Sequence, residues 1–213
     1  MLTCGSCGDS FDLPAAVRAK YPNWTPRQCM RCRDAGRGAP GSASKSAKRS
    51  VTATTNLPLA EVLLRFEGGP ADGIFTDGSC AGNPGPGGWG AVNVRDGRVI
   101  EQRYGADPAT TNNRMEFTAM IEGLLMAPPD EPVTIYTDSA LVVNTLTKWA
   151  AGWEKRGWKR KEGEVKNLEL VQRAFALLKE RPHVRLEWIR AHDGSRWNEY
   201  ADALSTAYLR SEL

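Results

Sequence analysis

Four acidic residues, Asp77, Glu116, Asp138 and Asp202, fall at the ends of four different candidate elements. A lone aspartate at a strand end is most often a turn or cap residue, so each means little by itself. Asp77 and Asp138, however, share a context: one follows Ile74-Phe75-Thr76 and the other Ile135-Tyr136-Thr137, both apolar or aromatic segments closing on threonine. If those two strands are neighbours, their carboxylates meet at one sheet edge. Like charges brought that close repel unless a cation neutralises them, and oxygen-only donors suit a hard ion such as Mg²⁺. The pattern asks for metal chemistry.

A second set of donors stands apart. Cys4-Gly5-Ser6-Cys7 and Cys29-Met30-Arg31-Cys32 form two CxxC pairs, the spacing with which four thiolates take one tetrahedral Zn²⁺. Two disulfides are the alternative, which a reducing compartment disfavours. Cys80, the fifth cysteine, reads as a small packing residue.

The elements that must position these groups follow from composition and periodicity. Residues 1–33 hold four cysteines with Tyr21 and Trp24 as apolar anchors, too short a stretch to fold by burial alone. Residues 34–56 are rich in Gly, Ala, Ser and Lys and read as a flexible basic linker. From residue 57 to 213, strand-like and helix-like stretches alternate, which defines an α/β layered domain. Strands are expected over Gly73–Thr76 leading into Asp77, then, after a glycine-rich turn through Gly88, over Trp89–Val94 and Arg98–Tyr104, and later over Val133–Thr137 and Val184–Ile189. Helices are expected over 112–126, from a Ser139 cap to about Trp149, over Leu168–Lys179 and over Asn198–Leu209.

Charge sharpens the reading. The net +3 divides into nine Lys/Arg against three Asp over residues 1–50, and 19 Lys/Arg against 22 Asp/Glu beyond them. An acidic body would be odd for a nucleic-acid binder unless cations neutralise some of its carboxylates. No apolar run reaches the roughly 20 residues of a membrane span and no secretion signal precedes the first cysteine, so a cytoplasmic, membrane-free protein is expected. Nothing in the sequence points to an obligate oligomer, and a monomer is expected.

Four segments together resemble the signatures of type 1 ribonucleases H: the run from Thr76-Asp77-Gly78-Ser79 through Gly90, Thr110-Thr111-Asn112-Asn113-Arg114-Met115-Glu116, Thr137-Asp138-Ser139, and His192-Asp193-Gly194 followed by Asn198-Glu199-Tyr200-Ala201-Asp202. The resemblance spans about residues 72–210. It implies a ribonuclease H-like fold, a five-stranded mixed sheet with helices on both faces, and an endonuclease that hydrolyses the RNA strand of RNA/DNA hybrids to 5′-phosphate and 3′-hydroxyl ends. By the same resemblance Asp77, Glu116, Asp138 and Asp202 would hold two Mg²⁺ ions, with Mn²⁺ as a possible substitute, and His192 would assist turnover. Asn83, Asn112 and Asn113 would read the hybrid, and Thr111 and Asn167 would bind a DNA phosphate.

The segment from Lys148 to Lys161 interleaves basic residues with three tryptophans, more than a solvated charged face requires. It resembles the basic protrusion that grips the DNA strand in bacterial and animal members, which points to Trp149, Trp153, Lys155, Arg156, Trp158 and Lys159. Two departures stand out. Ala109 occupies a place usually basic, two residues before Thr111, and Ala191 replaces the usual glycine before His192, with Asp193 as an acidic neighbour able to reposition the ring. His183 reads as an ordinary surface residue. The four-cysteine module resembles a zinc ribbon, binding either nucleic acid or a protein partner. Two other readings of the catalytic domain are a hybrid-binding adaptor with a silent nuclease and an integrase-like DNA strand cutter.

Overall fold

The computed structural model describes residues 1–5, 7–13, 18–19, 25–26, 57–160, 163–210 and 213. The chain divides into two compact units, Met1–Ser50 and Val51–Leu213. In the first, β1 (Leu2–Thr3) and β2 (Ser10–Phe11) pair antiparallel, with Leu2 opposite Phe11. Gly8 N–H donates to Cys4 O and Cys4 N–H donates to Asp9 O, both at 2.9 Å, which closes the turn carrying Cys4 and Cys7. Cys29, Cys32, Tyr21, Trp24, the linker 34–56 and Lys161 lie outside the described residues.

The second unit runs α1 (Leu59–Arg65), β3 (Gly73–Cys80), β4 (Gly85–Arg95), β5 (Arg98–Thr110), α2 (Asn112–Met126), β6 (Val133–Thr137), α3 (Ala140–Asn144), α4 (Ala150–Lys155), α5 (Leu168–Lys179), β7 (Val184–Trp188) and α6 (Arg196–Ser205). Its five strands lie in the order β5-β4-β3-β6-β7. The pairs β3·β4 and β4·β5 are antiparallel and β3·β6 and β6·β7 parallel, so the sheet is mixed. Successive residues of a strand point to opposite faces. Ile74 accordingly joins one apolar cluster with Phe117, Met120, Leu124 and Phe175, while Phe75 joins another with Val62, Phe66, Trp197 and Leu204. Helices thus cover both faces of the sheet. No helix among the described residues is long and apolar enough to cross a membrane.

Several boundaries differ from the sequence expectation. The Gly85–Gly88 run reads as turn but belongs to β4, because ladder partners on β3, including Ser79 and Cys80, and on β5 outweigh glycine's local preference. β5 likewise continues from Tyr104 to Thr110. The helix capped by Ser139 is interrupted by a π turn at Thr145–Trp149 before resuming as α4. α6 begins at Arg196, two residues early, and its end at Ser205 gives way to a 3₁₀ turn over Ala207–Leu209. Sequence reasoning assigned no helix to Leu59–Arg65, which is too short for its period to show.

Candidate active site

Thr76 and Thr137 are partners in the parallel β3·β6 register, so Asp77 and Asp138, one residue further on, emerge side by side at one end of the sheet. Glu116 comes from the first turns of α2. That turn lies so close to β3 that a Cβ on Gly78 would stand 2.2 Å from Glu116 N, which is why the residue after Asp77 must be glycine. One carboxylate oxygen from each of Asp77, Glu116 and Asp138 lies within 4.8 Å of the others. Asp202, on α6, joins a neighbouring trio with His192 and Glu199 on the same criterion. Its charge nevertheless acts on both Asp77 and Asp138, so all four carboxylates share one field.

Three of the four acids have a neutral brace. Ser205 Oγ donates to Asp77 Oδ2 at 2.6 Å, Asn112 Nδ2 donates to Glu116 Oε1 at 3.3 Å, and the Asn198 amide bonds Asp138. These bonds do not offset burial and repulsion. Burial, then the charges of Asp138 and Asp202, hold Asp77 well above the usual carboxylate range. Burial, then Asp77 and Asp138, do the same to Glu116, whose Oε2 has no hydrogen-bond partner among the described residues. Burial also raises Asp138, against the Asn198 amide and the nearby His192. Burial raises Asp202 to about 6, with Glu199 and Asp138 adding and His192 and Arg210 opposing. A buried, oxygen-only site short of positive charge, with an orphaned carboxylate oxygen, fits a hard divalent cation.

His192 is exposed, at φ 51, with Nδ1 3.7 Å from Glu199 Oε2. Asp193, the acidic neighbour singled out from sequence, instead accepts from Ser195 N–H at 3.1 Å across the loop. The carboxylate beside the ring is therefore Glu199, 2% exposed on α6. Trp188, at the end of β7, donates its indole N–H to Asp138 O at 2.8 Å and was also missed from sequence. The braces Ser205 and Trp188 lie outside the signature segments, while Asn198 and Glu199 lie inside one without an assigned role. His183 is half-buried rather than superficial. Its Nε2 bonds Pro128 O at 2.8 Å, filling an acceptor that the proline-rich turn leaves open.

The remaining candidates fall into separate settings. Asn113, Trp149, Trp153 and Asn167 line one groove of about 580 Å³, together with Phe117, Arg160 and Lys166. The Trp149 and Trp153 rings lie 6.0 Å apart, and Trp149 is 42% exposed. Trp153 is half-buried and packs on the larger core, as does Trp158, which at φ 63 also meets Phe175 edge-on at 6.2 Å. Lys155, Arg156 and Lys159 are exposed. Thr111 caps α2 by accepting from Arg114 N–H, and Asn112 is turned to Glu116. Asn83 is exposed in the β3–β4 turn. Cys80 is half-buried, its Sγ 3.6 Å from both Gly85 O and Thr110 O, as a packing residue would be.

Sheet order and carboxylate edge define a hydrolytic enzyme of ribonuclease H-like architecture. Residues 71–210 match the RNase H family model, and the chain belongs to the ribonuclease H family. It is similar to the ribonuclease H of Agrobacterium fabrum, 49% identical over 133 residues, which is 62% of this chain and 90% of the relative. The ribonuclease H of Polaromonas naphthalenivorans is 46% identical over 134 residues, 62% and 83% of the two chains. Among solved structures, LC9-RNase H1, a type 1 RNase H with the type 2 active-site motif, superposes with a TM-score of 0.53 at 35% identity, over 66% of this chain and 74% of that one. LC11-RNase H1, solved in complex with an RNA/DNA hybrid, gives 0.50 at 25% identity, over 64% and 98%. The chain is accordingly a nuclease.

Proposed function

We propose that this ribonuclease H cuts the RNA strand of RNA/DNA hybrids endonucleolytically, with Asp77, Glu116, Asp138 and Asp202 holding two Mg²⁺ ions, which Mn²⁺ can replace. The observation that carries the reading is the buried carboxylate cluster, which repels itself until cations arrive. When bound, the two ions supply the charge that activates a water for in-line attack on the scissile phosphate and steadies the departing 3′ oxygen, leaving 5′-phosphate and 3′-hydroxyl ends.

The chain's own residues orient and bind. Ser205, Asn112 and Asn198 fix the oxygens of Asp77, Glu116 and Asp138, so that little reorganisation remains when substrate binds. His192, solvent-facing beside Glu199, assists turnover by helping water or product leave. Asn83 and Asn113 offer amides to the minor groove, where 2′-hydroxyls distinguish RNA from DNA. Asn112 serves the same face while bracing Glu116. Trp149 and Trp153 give the DNA strand an apolar wall, with Lys155, Arg156 and Lys159 around it, and Thr111 and Asn167 receive a DNA phosphate. Trp158 contributes by packing beneath that wall.

For the N-terminal unit the proposal is a zinc-ribbon-like module over 1–33, with one structural Zn²⁺ on Cys4, Cys7, Cys29 and Cys32, a linker over 34–56 and the catalytic domain over 57–213. The module strengthens hybrid binding, a protein partner being the alternative, in a monomeric protein of the reducing cytoplasm. Cleavage of labelled hybrid, duplex RNA, duplex DNA and single-ribonucleotide substrates, with and without EDTA, tests the reading. Only ribonucleotide-containing hybrid is cut, and only without EDTA. Binding without cutting would make the chain an adaptor, and cut duplex DNA would make it an integrase-like enzyme.

A further inference from the structure

The family match begins at residue 71, yet the chain immediately before it is part of the same core. Val62 and Phe66, 1% and 8% exposed, pack with Trp197, Tyr200, Ala201 and Leu204 of α6. After α1 the chain runs directly along the loop that leads from His192 into α6. Gly68 bridges Ser195 in parallel fashion, and Gly68 O accepts from Arg196 N–H at 2.8 Å. The Arg196 side chain turns back as well, its Nε–H donating to Phe66 O. The approach is close enough that a Cβ on Gly69, at φ +85, would fall 2.2 Å from Ser195 Oγ.

The loop so gripped is one that needs support. His192 sits at φ 51 and Gly194 at φ 89. A non-glycine residue in the left-handed region persists only where its surroundings over-determine it. One end of the loop is fixed by the first turn of α6, where Glu199 N–H donates to Ser195 O at 3.0 Å. Its outer side is held by residues 66–69.

We infer that residues 57–69 are a strap that sets the position of His192 relative to Glu199 and Asp202, with Arg196 as the positioning residue through which the strap acts. The inference rests on the role given to His192 above. The strap holds Arg196 by main chain and side chain together, so loosening it frees the His192 loop while Asp77, Glu116 and Asp138 keep their separate braces in Ser205, Asn112 and Asn198.

The test uses the full chain carrying Arg196→Met, which keeps the apolar stem and removes the donors, and separately Gly69→Ala, which pushes the strap off Ser195. Each is made with His192 present and with His192→Ala. We measure kcat and KM on a labelled hybrid, the Mg²⁺ dependence of cleavage, and amide hydrogen exchange over residues 192–196. Each strap variant is expected to lower kcat about three- to tenfold, the loss of one or two hydrogen bonds. KM and Mg²⁺ dependence stay unchanged, exchange over 192–196 quickens, and the fall in kcat vanishes in the His192→Ala background. An equal fall in both backgrounds would reduce the strap to general stability and overturn the inference, as would unchanged kcat and exchange. If His192→Ala alone leaves kcat unchanged, the histidine's role fails instead, and exchange alone judges the strap: faster in the variants supports it, unchanged overturns it. Should both variants fail to fold, the wild-type Arg196 amide decides. Protection equal to that of the α6 core supports the strap, and exchange at the rate of an open loop overturns it.

Discussion

Ser205 and Asp77 are joined by a 2.6 Å hydrogen bond, the serine hydroxyl donating to the carboxylate across 128 residues of sequence. Ser205 lies three residues beyond Asp202 on α6, so one helix supplies one carboxylate and braces another. Because that bond favours the ionised form of Asp77, its removal raises a pKa already driven up by burial. Ser205→Ala is therefore expected to raise the Mg²⁺ concentration for half-maximal cleavage by about tenfold, the range of a hydrogen bond to a charged group, with hybrid KM little changed. A Mg²⁺ titration of initial rates checks it.

The four raised carboxyls make a pH-dependent strain in the metal-free protein. Asp202 moves from 3.8 unfolded to about 6 folded, so the folded state binds the extra proton. Its stabilising contribution is whole below about pH 3.8 and is lost as pH rises through about 6; Asp77 and Glu116 act in the same direction. Above that range, metal-free Asp202→Asn is expected to exceed wild type in stability by on the order of 2 kcal/mol. Saturating Mg²⁺ should raise the wild-type Tm more at about pH 7.5 than at about pH 5, where protons compete for the same oxygens. Thermal melts across pH, with Mg²⁺ and with EDTA, measure both.

The three protrusion tryptophans separate by setting. Trp149→Ala is expected to weaken hybrid binding by about 1–3 kcal/mol, the scale of lost stacking or apolar contact with nucleic acid, at nearly unchanged Tm, whereas Trp153→Ala, whose half-buried ring also packs on the larger core, should lower both binding and Tm. Trp158→Ala removes a ring packed on Phe175 and should instead cost about 3–5 kcal/mol of stability. Hybrid-binding titrations paired with chemical denaturation distinguish these outcomes.

Much of this was legible in the sequence because it was carried by local signals. Once their two strands are taken as neighbours, the matching strand ends bring Asp77 and Asp138 to one edge, and the Ser139 cap and α5 followed from pattern alone. What escaped depends on tertiary placement. Ser205 and Trp188 brace acids from distant parts of the chain, and nothing in their own neighbourhoods announces it. Asp193 stands next to His192 in sequence, but a loop at positive φ turns it to Ser195 and brings in Glu199 from the helix instead. Trp153 and Trp158 share their composition with exposed Trp149, and nothing local announces that their rings pack on the larger core.

For the N-terminal unit, metal analysis of purified protein is expected to give about one zinc per chain under reducing conditions, lost on Cys29→Ser. Deleting residues 1–50, where nine basic residues oppose three acidic ones, should weaken hybrid binding and flatten its salt dependence. Unchanged affinity would point to a protein partner.

The central claim, that these carboxylates gather divalent ions to cut RNA, is tested most directly by single-turnover cleavage of a labelled hybrid by wild type and Asp138→Asn across a Mg²⁺ titration, with hybrid affinity measured alongside. The variant is expected to bind hybrid as wild type does and to cleave it slower by about three orders of magnitude at every Mg²⁺ concentration. Cleavage by Asp138→Asn at the wild-type rate, or by the wild type in EDTA, would contradict the account.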